Sequence, residues 1–128
     1  MEILNPQAEL TNALLHVLPL LDVDTYFYLP QEAVKYPFIV VGEQLATGTY
    51  TKERSIVSLK QVIHVYALAD ELPYIQRLVK LIEATVFNLQ KTENFNWVNT
   101  LDEDVLLMDD STKDQLWHAA ITFSCNSN

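Results

Sequence analysis

The chain has 128 residues, 49% of them hydrophobic and 20% charged, with seventeen acids against eight bases for a net charge of −9. A chain of this size forms one domain, 1–128, burying about two thirds of its unfolded surface, so neither wholesale disorder nor dependence on a metal or disulfide staple fits. The single cysteine, Cys125, excludes an internal disulfide and suits a reducing compartment, and the acidic excess argues against tight phosphate binding, which draws on Lys and Arg.

No apolar run approaches the ~18 residues of a membrane span. The start, Met1-Glu2-Ile3-Leu4-Asn5-Pro6, lacks the basic opening of a signal peptide, so the expectation is a chain made and kept in the cytosol. A first helix is predicted to open at Asn5-Pro6, because Asn caps, Pro suits the first helical position and Glu9 lies in the first turn. Leu10, Leu14, Val17 and Leu21 recur at helical spacing, Ala13 and Leu18 widen the stripe, and Pro19 should end or kink the helix near Leu18. Residues 22–30 read as a connection carrying Tyr26-Phe27-Tyr28, a cluster better suited to core or interface packing than to a ligand cage.

Two antiparallel strands are predicted over 38–45 and 59–68, joined by the polar stretch 46–58. Both alternating sets of each strand are largely apolar. Either a sheet with helices on one face and a neighbouring subunit on the other, or a central pair in a well-covered sheet, accounts for that. The connection 47–55 is longer than usual for paired strands and holds two of the eight bases. Thr47, Thr49, Tyr50, Thr51, Lys52, Glu53, Arg54 and Ser55 are therefore candidates for partner contact, against the plainer reading of a mobile hairpin tip.

A second helix should follow Asp70 as N-cap, with Glu71 and Pro73 in its first turn. Leu72, Ile75, Val79, Ile82, Val86 and Leu89 alternate at three and four, and Leu78, Leu81 and Phe87 broaden the apolar face. Two last strands are expected over 104–108 and 116–124, around the turn 109–114, with Trp117, Ala119, Ile121 and Phe123 on one face of the final strand and a frayed tail at 126–128. The order α-β-β-α-β-β implies an α+β fold: a mostly antiparallel four-stranded sheet with two helices packed on one face.

Charge is unevenly spread: 93–114 holds seven acids and one base, so six of the nine net negative charges fall there. Asp102, Glu103, Asp104, Asp109, Asp110 and Asp114 could gather a divalent cation only if two turns converged, and their spacing is not that of an EF-hand, so solvated turn carboxylates are the default. Gly42 and Gly48 are the only glycines, which excludes a P-loop or dinucleotide-binding turn. His16, His64 and His118 lack metal-ligand spacing; if the strands carrying His64 and His118 were adjacent the two could meet, yet ordinary surface or half-buried histidines fit better. Cys125 could pair with His118 as a nucleophile, but nothing lowers its thiol pKa and a structural role is preferred. No catalytic residue, cofactor site or metal site is assigned, and the expectation is a non-enzymatic protein.

A helix leading to Tyr28-Leu29-Pro30-Gln31, then Tyr36-Pro37-Phe38-Ile39-Val40-Val41-Gly42-Glu43, a variable polar loop, and Gln61-Val62-Ile63-His64-Val65-Tyr66 entering a long amphipathic helix together resemble the small tail-completion proteins of long-tailed bacteriophages, the tail terminators or head-tail joining proteins. The resemblance covers about 8–89, with the last two strands agreeing in order only, and its motifs are structural rather than catalytic. It implies a homo-oligomeric ring, commonly a hexamer, that caps the tail tube, stops its polymerisation and offers a docking surface to the head-tail connector. The implied partners are further copies of the chain, the major tail tube protein and the neck protein. The implied place is the tail-neck junction of the virion, reached from the host cytoplasm, with no membrane. DNA would pass through without specific binding, and Asp102, Glu103, Asp104, Asp109, Asp110 and Asp114 become candidates for an acidic lumen. The alternatives are another phage neck adaptor, an acidic immunity protein or inhibitor that blocks a basic nuclease, and, ranked last, a small metal-dependent hydrolase using the 102–114 acids.

Overall fold

A computed structural model describes residues 4–50, 55–111 and 113–127. Helix α1 (Pro6–Val17) runs into a 3₁₀ turn (Leu18–Leu21) and is followed by strands β1 (Asp24–Tyr26), β2 (Phe38–Tyr50) and β3 (Ser55–Leu68). A second 3₁₀ turn (Ala69–Glu71) leads into α2 (Leu72–Phe87), and β4 (Trp97–Asp109) and β5 (Leu116–Ser127) complete the chain. The strands form one five-stranded sheet in the order β1-β2-β3-β5-β4, antiparallel throughout except for β1, which pairs with β2 in parallel. The fold is α+β as expected, but the four-stranded sheet is corrected to a five-stranded mixed one. The added strand lies in the stretch read as a connection, where three residues from Asp24 to Tyr26 pair with Phe38 to Val40. A strand that short has no readable periodicity of its own.

The first helix forms for the expected reasons: the Asn5 side chain accepts from the Ala8 backbone N–H at 3.0 Å, and Pro6 occupies the first turn. Leu10, Leu14 and Leu18 are fully buried, and the chain leaves the 3₁₀ turn through Asp22, whose φ is 64°. The cap of α2 is Glu71 rather than Asp70, because the 3₁₀ turn takes up Asp70, and no side chain caps it. From α2, Ile75, Leu78, Val79, Ile82 and Val86 are buried, whereas Leu81 and Phe87, expected to widen the apolar face, point to solvent.

Both helices cover one face of the sheet. Ile39 and Val41 of β2, the odd-numbered residues of β3 from Val57 to Ala67, and Ala119, Ile121, Phe123 and Cys125 of β5 meet them in a single core, apart from the polar Gln61. At about 1.5–3 kcal/mol per fully buried large side chain, this layer carries the fold.

Two β-bulges shape the edges. In β2 the register shifts between Val41 and Gln44, so Gly42 and Glu43 stand outside the alternation. The buried amide of Gln61 fills the gap: its Oε1 accepts from Gln44 Nε2 at 2.7 Å, and its Nε2 lies 3.3 Å from the Gly42 carbonyl and 3.0 Å from that of Val62. In β4 the shift falls between Leu101 and Glu103. That break hid the first half of β4, which begins at Trp97 rather than 104. Asn99 there is buried and donates from Nδ2 to the Val86 and Leu89 carbonyls at 2.9 and 2.7 Å, satisfying backbone acceptors at the end of α2.

The long polar connection is likewise corrected. Thr47, Gly48, Thr49 and Tyr50 belong to β2 and pair with Ser58, Val57, Ile56 and Ser55 of β3, so most of the expected loop is hairpin. Thr, Tyr, Ile and Val are good strand formers, so the stretch pairs as strand despite its polar composition. Thr51, Lys52, Glu53 and Arg54 lie outside the described residues. The tail is not frayed at 126–127: Asn126 and Ser127 pair with Val98 and Trp97, and the buried Ser127 hydroxyl bonds the Val57 backbone. Asn128 lies outside the described residues.

Candidate functional site

Strand alternation places Ser58, Lys60, Val62, His64, Tyr66 and Leu68 of β3 opposite the core, on the face that neither α1 nor α2 covers. Their neighbours are Phe38 and Val40 of β2 and His118, Ala120, Thr122 and Ser124 of β5. This face carries a ladder of rings. Phe38 stacks on Tyr66 with centroids 5.1 Å apart, Tyr66 stacks on His118 at 4.4 Å with the planes 13° apart, and Tyr36 packs beside Phe38 at 5.5 Å. Tyr26 of the edge strand β1, and Tyr28 just beyond it, extend the ladder edge-on. Phe27, Tyr28 and Leu29 are each more than half exposed, an unusual density of apolar surface on one short segment.

Two clefts flank that segment. One, of about 410 Å³, is lined by Phe27, Tyr28, Leu29, Val40, Gly42, Glu43, His64 and Tyr66. The other, of about 390 Å³, has Tyr36, Phe38, Tyr66 and Leu116 among its walls and the carboxyls of Glu32, Asp109 and Asp114 around it.

The polar centre of the face is a chain of three side chains. Glu43 Oε1 lies 2.7 Å from His64 Nε2, and His64 Nδ1 lies 2.8 Å from His118 Nε2. A carboxylate only accepts, so His64 carries a hydrogen on Nε2. Gly42 makes the arrangement possible, since a Cβ there would stand 2.7 Å from His64 Cδ2. The bulge that frees Gly42 and Glu43 from the ladder turns the carboxylate toward the imidazole. The hydrogen bond from His64 holds the Glu43 carboxyl below the usual range, against a smaller opposing effect of burial. Burial, reinforced by His64, lowers the pKa of His118, while burial and the carboxylates of Asp109 and Glu43 raise that of Tyr66.

The sequence lets His64 and His118 meet on the condition that their strands are neighbours, and β3 and β5 are. Glu43 and Gly42 are assigned to no site by sequence reasoning. The signal for them is present only as a Gly-Glu pair ending an apolar run, which has no meaning until register is known. His16 stands apart, its Nδ1 2.7 Å from the Asn12 carbonyl on α1.

The acidic candidates do not gather in one place. Asp102, at the β4 bulge, forms an ion pair with Lys60 and accepts from the Ser124 hydroxyl at 2.7 Å on the helix-free face. Lys60 and Ser124 together hold its carboxyl below the usual range. Glu103 pairs with Thr122 across the ladder, whereas Asp104 lies 3.9 Å from Lys80 of α2 on the opposite face. Asp109 accepts from the Ser111 backbone and hydroxyl, lowering its pKa, and Asp110 accepts from Gln115. With Asp114 these two sit at the β4–β5 turn, about 20 Å along the strand from Glu103. Among the described residues no group of three His, Cys, Asp or Glu is placed to hold a metal ion.

Cys125 faces the core, opposite to His118, and burial followed by the Asp102 charge pushes its thiol up to about 12, so the two do not form a nucleophilic pair. Among the described residues no helix is long and apolar enough to cross a membrane.

No protein-family model and no curated protein sequence matches the chain. Among solved structures it is similar to a chain of the "Virion of native gene transfer agent (GTA) particle", with a TM-score of 0.70 over 96% of this chain and 95% of that one, at 13% identity. That likeness extends over nearly all of both chains, and at this identity it is a likeness of fold.

Proposed function

We propose that the chain is a structural component of a phage-like virion, and that within this class it acts as a tail terminator: a ring, of six copies as the sequence resemblance implies, that closes the tail tube, ends its polymerisation and joins it to the head connector. The observation that carries the reading is the near-complete match in length and fold to a chain of a gene transfer agent virion. The order of motifs from the first helix through Glu43 to the second helix supports the narrower role. The reading is non-enzymatic, with the virion tail-neck junction as its place, and it gives the helix-free face a purpose. The exposed Phe27, Tyr28 and Leu29 and the ring ladder beside them would meet the next copy in the ring. The β2–β3 hairpin, which continues as a two-stranded ribbon beyond the end of the β3–β5 ladder, would reach the tube or a neighbour. A net charge of −9 suits a ring through which DNA slides without sticking.

The test is electron microscopy of the protein mixed with polymerising major tail protein, beside tail protein alone. Tubes arrested with a ring at one end are expected. Tubes of unchanged length with no bound protein would overturn the terminator role.

A further inference from the structure

We propose that His64 and His118 form a two-step proton switch on the helix-free face: the pair takes up one proton with its hydrogen bond intact and separates on taking up a second. The proposal rests on the geometry of the pair and not on the tail-terminator reading. With Nε2 of His64 donating to Glu43, the neutral pair has one arrangement that satisfies the 2.8 Å contact: a lone pair on His64 Nδ1 and a hydrogen on His118 Nε2. The first proton is accommodated by a relay. It enters from solvent at His118 Nδ1 while the shared hydrogen passes to His64 Nδ1, leaving His64 as the imidazolium beside the Glu43 carboxylate and His118 neutral as the other tautomer.

The second proton has only His118 Nε2 to occupy. It would then point at the Nδ1–H of His64 across 2.8 Å, between two like charges whose ring centroids are 5.0 Å apart. The hydrogen bond cannot survive that state. The groups that face the pair among the described residues are Glu43 from β2, Tyr66 from β3, Asp109 from the end of β4 and Tyr28 from the segment before β2. Lys60, the nearest lysine on this face of β3, is engaged by Asp102. Acidification therefore gives the pair one positive charge, then two, and the second loosens the stack of His118 on Tyr66 that ends the ring ladder.

Nitrogen-resolved NMR of the histidine rings in the full chain, from about pH 8 to about pH 4.5, tests this. Two steps more than about one pH unit apart are expected, with His118 passing from the Nε2–H to the Nδ1–H tautomer in the first and the hydrogen bond between the two rings broken in the second. Glu43→Gln, at a side chain 73% exposed, should fold normally and move the first step down by about one unit. His118→Asn should abolish the two-step pattern. Independent single titrations of the two rings, or an unchanged His118 tautomer through the first step, would overturn the proposal.

Discussion

The two faces of β3 belong to the same fourteen residues and have been put to different uses. Val57, Leu59, Ile63, Val65 and Ala67 vanish under the helices, whereas Lys60, Val62, His64, Tyr66 and Leu68 stay at least partly accessible on a face with no helix over it. On the covered face of β3 the polar Gln61 has partners for both its oxygen and its nitrogen. The open face is only partly satisfied, with stacked rings, a histidine pair and bare aromatic side chains at its border. The larger share of stability resides in the first face and the capacity for contact in the second, so substitutions on the two should differ in the size of their effect on folding.

The largest effect belongs to the covered face. Ile82→Ala, at a fully buried position of α2, should cost about 2–5 kcal/mol in urea unfolding, from the forfeited transfer energy and the cavity left behind. Next comes Gln61→Leu, which strips the β2 bulge of its amide and should cost about 1–3 kcal/mol. It should also disturb the His64 resonances, because the same bulge aims Glu43. A Gln61→Leu protein of unchanged midpoint would show that the bulge holds itself. Gly42→Ala should cost about 1–3 kcal/mol through crowding of the His64 ring, and disappearance of the Glu43–His64 hydrogen bond in NMR would mark the cause.

Acid should bring out the open face. His118 has a folded-state pKa below its unfolded value, so the unfolded chain binds more protons and stability falls as pH drops below about 6.5. Glu43, whose folded pKa is also depressed, adds a second loss as pH falls below about 4.3 and through its folded value. Urea midpoints measured across that range should decline in both windows, and His118→Asn should remove the upper decline alone. The smallest effect is expected at Lys60→Ala, which breaks an exposed ion pair with Asp102 and should leave the urea midpoint unchanged.

Much of the covered face is legible in the sequence. The stripe of α2 and the alternation of β5 arise from the burial that gives them meaning, and Asn5-Pro6 announces its helix through local chemistry alone. What stays hidden depends on register. The β4 bulge breaks the alternation, so only the second half of the strand reads as one, and the hairpin looks like a loop because its composition is polar and its pairing depends on register. The histidine pair can be stated only as a condition, since nothing local to His64 or His118 says that β3 and β5 are neighbours. The acids show the reverse failing: a dense run along the chain is divided by strand alternation and the bulge between two faces and a turn, so proximity in sequence does not become a single acidic surface.

The most direct measurement is the tail-tube assembly experiment repeated with Phe27→Asp and Leu29→Asp combined, at exposed positions beside the ring ladder. A folded protein with an unchanged urea midpoint that no longer arrests tubes is expected. A doubly substituted protein that still forms rings at tube ends would contradict it, because the exposed border of the helix-free face would then have no part in assembly.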